Sequence, residues 1–187
     1  MKIITMEDNN YPQRLKLIKK PPKQLYAVGD VSIADGTNIA IIGSRNCTEY
    51  GKKQAKRFST ELSRAGINIV SGMAVGIDGI AHKACIEEKG KTIAVLGSGF
   101  NHIYPKQNEK LFYNILENGG LILTEYAPNV EADGNNFPAR NRIVSGISLG
   151  VLVIEAAYRS GTSITAKCAT NQKKKVYCIP SSVDSNK

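Results

Sequence analysis

The sequence predicts an α/β fold: a doubly wound, mainly parallel sheet with helices on both faces. Two observations predict it. Short runs rich in Ile and Val recur at residues 38–42, 67–70, 92–96, 121–124, 151–154 and 176–179. Near-continuous apolar runs of this length mark strands buried on both faces, as in a parallel sheet. Between the runs lie helical stretches at 51–64, 78–88, 108–118, 139–148 and 163–171. Strand alternating with helix winds right-handed into such a sheet.

The 187 residues fit one domain with a real core, and 42% hydrophobic and 22% charged residues are ordinary for a globular chain. Residues 38–187 form the predicted core. Residues 1–37 read as an arm packed on the sheet: a short helix over 11–18 with Leu15 and Ile18 inward, stopped by Pro21-Pro22, then an edge strand over 25–28. No apolar run reaches the length of a membrane span, and the start has neither the apolar stretch nor the cleavage site of a signal peptide. The expected location is the cytoplasm. The four cysteines form no Cys-x-x-Cys pair and only two histidines accompany them, so free thiols are expected, without metal or cofactor.

The formal net charge is +9. It fits a phosphate-binding surface and equally a solvated basic face, so the placement of the cations has to decide. In an open doubly wound sheet, ligands bind beyond the carboxyl ends of the strands. The first core strand is followed by Gly43-Ser44-Arg45. Gly43 permits a tight turn, Ser44 and the N–H groups of the next helix suit phosphate oxygens, and Arg45 adds a bidentate donor. The turn is neither the dinucleotide fingerprint nor a P-loop, and an ordinary glycine turn reads the same way. Ser71-Gly72-Met73-Ala74-Val75-Gly76 follows the second strand, where Ser71, Gly72 and Gly76 allow close approach. Asp78 reads as a helix cap with His82 on the same face; the pair also reads as acid–base chemistry, though no nucleophile accompanies it. The third strand leads to Gly97-Ser98-Gly99 and on to Tyr104-Pro105-Lys106.

The segment Asn136-Phe137-Pro138-Ala139-Arg140-Asn141-Arg142-Ile143 carries the strongest signal. Phe137 precedes a proline and is expected to be extended, with the helix starting after it. Arg140 and Arg142 near a helix start oppose the helix dipole, a cost that an anion would offset. Phenylalanine beside arginines also suits the stacking of single-stranded nucleic acid; a core phenylalanine with surface arginines is the alternative. Ser160-Gly161-Thr162 opens another helix. Lys173-Lys174-Lys175 reads as a solvated run.

Taken in order, Gly-Ser-Arg with Tyr50-Gly51, Ser-Gly-x-Ala-x-Gly-Ile-Asp-x-x-Ala-His, Ala-Val-Leu-Gly-x-Gly with Tyr-Pro, Asn-Phe-Pro-x-Arg-Asn-Arg-Ile and Glu-Ala with Ser-Gly-Thr resemble the DNA-processing protein A (DprA/Smf) family. The opening residues Tyr11-Pro12, Leu15, Ile18 and Pro21-Pro22 do so too. The resemblance spans about Tyr11 to Pro180. It implies an extended Rossmann-like fold and sequence-independent binding of single-stranded DNA. It also implies protection of incoming strands in natural transformation, loading of the RecA recombinase, a homodimer, and no catalysis. The pocket it implies contains Arg45, Lys106, Phe137, Arg140 and Arg142. The glycine-rich turns extend the candidate set to Gly43, Ser44, Ser71, Gly72, Gly76, Asn141, Ser160 and Gly161. The family continues with Pro-Gly and a further helix where this chain has Pro180-Ser181, so a cut or missing segment is expected there. The dimer and RecA surfaces lie toward that end. The alternative function is a nucleotide-binding or nucleoside monophosphate phosphoribohydrolase-like enzyme using Glu125 or Glu155, although its proline- and glycine-rich turn is absent.

Overall fold

A computed structural model describes residues 1–157 and 160–180. Tyr158, Arg159 and residues 181–187, which the sequence reading placed in the last turn and the tail, lie outside the described residues.

Strand β1 (Lys2–Thr5), helix α1 (Gln13–Lys16) and strand β2 (Gln24–Gly29) precede the core. The core runs β3 (Asn38–Gly43), α2 (Glu49–Arg64), β4 (Asn68–Ser71), α3 (Ile77–Glu87), β5 (Thr92–Val95), α4 (Glu109–Glu117) and β6 (Leu121–Thr124), then α5 (Asn136–Gly146), β7 (Gly150–Glu155), α6 (Gly161–Asn171) and β8 (Lys175–Cys178). The strands form one sheet in the order β1-β2-β6-β5-β4-β3-β7-β8. The pairs from β6 through β8 are parallel, while β1 and β2 join antiparallel. The α/β class and the mainly parallel sheet are as the alternating runs predict.

The alternation within each strand sorts the core. Ala40, Ile42, Val70, Ile93, Val95, Leu121, Leu123, Val151 and Val153 face α1, α5 and α6. Their neighbours Ile41, Ile69, Leu152 and Ile154 meet α2 and α3, and Ala94 and Ile122 meet α4. Each fully buried Ile, Leu or Val contributes roughly 1.5–3 kcal/mol. Helix α2 buries a stripe of small residues, Gly51, Ala55, Ser59 and Ser63, spaced one turn apart. They let it lie close to α3, where Ser59 Oγ donates to Ala81 O at 2.6 Å.

Three local expectations need correction. The strand expected at the edge, β2, lies between β1 and β6; the unforeseen β1 covers it, with Ile4 buried as its inward residue. Phe137 is helical, because α5 begins at Asn136. The first N–H groups of a helix have no intrahelical acceptor, so Pro138 breaks nothing there. Lys174 is not simply solvated. Its Nζ donates to Ser145 O, Gly146 O and Ser148 O at 2.6, 2.5 and 2.6 Å, closing the end of α5. Burial pushes its pKa down to about 8.

Candidate nucleic-acid interface

Winding from β3 proceeds through β4, β5 and β6 on one side, then returns to place β7 on the other side of β3. The carboxyl ends of β3 and β7 therefore flank a crevice, the position where doubly wound sheets bind ligands. A cleft of about 590 Å³ occupies it, within the range of small-ligand pockets. Of the candidate residues, Gly43, Ser44, Arg45, Gly72, Phe137, Arg140, Asn141, Ser160 and Gly161 line it. Ser71, Gly76, Lys106 and Arg142 lie outside the lining.

The turn after β3 is held on both sides. Ser44 N–H donates to Glu155 O of β7 at 2.8 Å, and Ile77 N–H at the start of α3 donates to Ser44 O at 3.2 Å. Gly76 has φ +78°, and a Cβ there would run into the carbonyl oxygens of Ser44 and Arg45. Only glycine combines that backbone with that approach. Ser71 Oγ, buried, donates to Ile41 O at 2.7 Å and ties β4 to β3. The helix following this turn is not open to an anion, contrary to the sequence expectation. Thr48 N–H donates to the Glu155 carboxylate at 3.0 Å and Thr48 Oγ1 at 3.1 Å, so a carboxylate of the chain itself sits at the α2 N-terminus. Among the described residues, a helix N-terminus in the cleft that no side chain caps is that of α6. Ser160 flanks it in extended conformation without a side-chain cap bond. The first turn closes by Ile164 N–H to Ser160 O, so the N–H groups of 161–163 face out of the helix end.

The cationic groups differ sharply. Arg45 is exposed, with its guanidinium 5.3 Å from the centre of the Phe137 ring. That ring also lies 5.4 Å from Tyr104, which is 47% exposed. Gly97 makes the floor: a Cβ there would meet the Phe137 ring. Arg140, in contrast, is 4% exposed. Its Nη1 donates to Gly72 O at 2.7 Å and to Val95 O, and its Nε to Asn141 Oδ1 at 3.2 Å. It joins α5 to the ends of β4 and β5. Burial pushes its pKa down to about 10, with Asp78 pulling it up and Arg45 pressing it down, so it stays charged at neutral pH. Arg142 is bound by Glu125 through two bonds of 2.6 and 2.7 Å. Lys106 is exposed in a turn of 3-10 helix, Lys106–Asn108.

Asp78 and His82 do not form a pair. Asp78 Oδ2 accepts from Gly72 N–H at 3.1 Å and Ala74 N–H at 3.4 Å. It thereby holds a strained turn in which Met73 has φ +63°. Burial pushes its carboxyl up, while Arg140 and these bonds pull it down. His82 meets Thr92 Oγ1 at 2.7 Å. Thr92 Oγ1 donates to Ile69 O, which makes His82 Nδ1 the donor. Burial pushes its pKa down to about 3. Sequence reasoning missed Tyr104 as a ring partner and the turn-holding role of Asp78. Three glycines around an aspartate were the available signal for the second.

The fold and this cleft define a doubly wound α/β protein whose ligand crevice presents an exposed arginine, paired aromatic rings and an open helix N-terminus. The chain belongs to the DNA recombination-mediator protein A family, whose sequence pattern matches residues 2–187. It is 40% identical over 178 residues to protein Smf of Escherichia coli, covering 95% of this chain and 48% of that protein. DNA processing protein A of Streptococcus pneumoniae superposes with a TM-score of 0.93 at 37% identity, over 99% of this chain and 65% of that one. DNA processing protein A of Helicobacter pylori, whose single-stranded DNA binding mode has been described structurally, superposes with a TM-score of 0.89 at 34% identity, over 98% and 83%. The chain spans about half to three fifths of the length of the curated relatives it matches. Among the described residues, no helix is long and apolar enough to cross a membrane.

Proposed function

We propose that the cleft holds single-stranded DNA without reading its sequence, as a binding and not a catalytic site. The observation that carries this is Arg45 lying over Phe137, exposed, at the mouth of a crevice into which the α6 N-terminus opens. A backbone phosphate fits between the guanidinium and the helix N–H groups, and a base stacks against the Phe137–Tyr104 rings. In this reading Arg45, Phe137, Ser160 and Gly161 touch DNA, with Lys106 a flanking cation. Gly43, Ser44, Ser71, Gly72, Gly76, Arg140 and Asn141 shape the wall, and Arg142 tethers α5. The carboxylates an enzyme would need are engaged, Glu125 by Arg142 and Glu155 by Thr48. For the whole protein we extend the reading to strand protection in transformation, RecA loading and homodimerisation in the cytoplasm, by its family membership. A salt titration of binding to single-stranded and duplex oligonucleotides tests the core of it. The expected result is a preference for the single strand and an affinity that falls steeply with salt. A preference for duplex, or affinity indifferent to salt, overturns it.

A further inference from the structure

The carboxyl edge of the sheet continues past the cleft. Strand β2 runs antiparallel to β6, with Tyr26 opposite Thr124, so the start of β2 stands beside the end of β6. The segment entering β2 thus lies on the cleft's edge of the sheet. It carries Lys19, Lys20 and Lys23, all exposed. None is in an ion pair among the described residues. Most cations of α2 are different: Lys52, Lys56, Arg57 and Arg64 each meet a glutamate within 3.0 Å, and Lys53 is the exception among the described residues. The arm carries four acidic residues, of which Asp30 accepts from Ser32 N–H and Asp35 from Gln13 N–H. Glu7 and Asp8 follow β1, and Asp8 is bonded to Thr5. Glu125 is taken by Arg142.

The lysines also stand on a fixed backbone. Arg142 Nε donates to Lys20 O at 2.8 Å, and the buried Tyr11 hydroxyl donates to Pro22 O at 2.7 Å. Pro21 and Pro22 restrict the segment further. A segment already ordered loses less freedom when it binds. The sheet order β2-β6-β5-β4-β3 sets the start of β2 about 19 Å from the Arg45 turn, at about 4.8 Å per strand spacing. An extended single strand of a few nucleotides covers that distance.

We propose that Lys19, Lys20 and Lys23 form a second phosphate-contacting site for the strand held in the cleft. The strand then runs along the carboxyl edge of the sheet, across the strands from β3 to β2. This rests on the cleft reading above. In the full chain, Lys19→Gln, Lys20→Gln and Lys23→Gln are combined and compared with Lys2→Gln, Lys83→Gln and Lys175→Gln. The comparison set removes the same charge from exposed positions toward the opposite edge or on α3. Binding is measured to an oligothymidylate of about sixteen nucleotides and, by competition, to a thymidine dinucleotide too short to bridge the two sites. The arm variant is expected to bind the long strand about tenfold more weakly, with a slope of log affinity against log salt shallower by about 2. Its dinucleotide affinity and the long-strand affinity of the comparison variant stay unchanged. Equal losses in both variants, an equal loss on the dinucleotide, or no loss on the long strand overturns the proposal. If the long strand still needs Arg45 while the arm variant is silent, only this proposal fails. If the unaltered chain binds neither probe, the cleft reading fails and takes this one with it.

Discussion

Arg45 and Arg140 share one wall of the cleft and do opposite work. Arg45 is exposed and rests on a ring; Arg140 is 4% exposed and spans two strand ends. The helix N-termini beside them show the same contrast. That of α2 is occupied by Glu155, while that of α6, at the crevice, has no side-chain cap among the described residues. The lesson is that a cation or a helix end at this edge becomes a ligand group only where the chain has not already supplied its partner. A buried guanidinium is a strut, and losing it harms the fold before it harms binding.

The contrast is sharpest with Arg140→Ala. It leaves the Gly72 and Val95 carbonyls without their donor and Asp78 without a nearby cation, so a loss of about 3 kcal/mol in urea unfolding is expected. Stability within about 0.5 kcal/mol of the unaltered chain would make Arg140 a ligand group after all. Gly76→Ala tests the joint between the α3 turn and the Arg45 turn. Its positive φ and the carbonyls it abuts predict a cost of about 2 kcal/mol, accompanied by weaker DNA binding as the Arg45 turn is displaced. Loss of stability with unchanged affinity would show that the turn tolerates movement. Phe137→Ala is expected to weaken single-strand binding by about 1–3 kcal/mol for the lost stacked base. Arg45→Ala should cost about tenfold in affinity and flatten the salt slope by about 0.7. Its melting temperature should not move, the reverse of Arg140→Ala.

A pH test comes from His82, which extends the contrast between buried and exposed charge. Its folded pKa of about 3 lies below the ordinary 6.5. The unfolded chain therefore binds the extra proton between those values. The stability contributed by the neutral ring is complete above about pH 6.5 and is lost as pH falls toward 3, by about 1 kcal/mol per pH unit. Asp78, with its pKa raised, works the other way in the acid range. Urea midpoints measured from neutral to acid pH check this, and a His82→Gln variant that keeps the full slope would assign it elsewhere.

Much of the edge was legible. Gly43, Gly72 and Gly76 signalled close approach, and the Asn-Phe-Pro segment marked an aromatic ring beside arginines. The fates of those arginines were not legible, because their partners are remote in sequence. Arg140 finds acceptors 68 and 45 residues away, and Arg142 is held by Glu125 and by Lys20 O. Phe137 was expected to be extended from its local preference; packing over Gly97, beside Arg45 and Tyr104, holds it in a helix. The Lys173–Lys175 run failed for the same reason, since its middle residue reaches the end of α5.

By itself the sequence determined the order of the core strands and helices, the two-faced burial of the sheet, and the small-residue turns gathered at one edge. Apolar periodicity and turn chemistry act over a few residues, so they can be read directly. Only the tertiary structure decided that Arg45 stays exposed, that Arg140 is buried and that Glu155 closes α2 while, among the described residues, no side chain caps α6. Burial and pairing of charge depend on which distant backbone groups packing brings within hydrogen-bond reach.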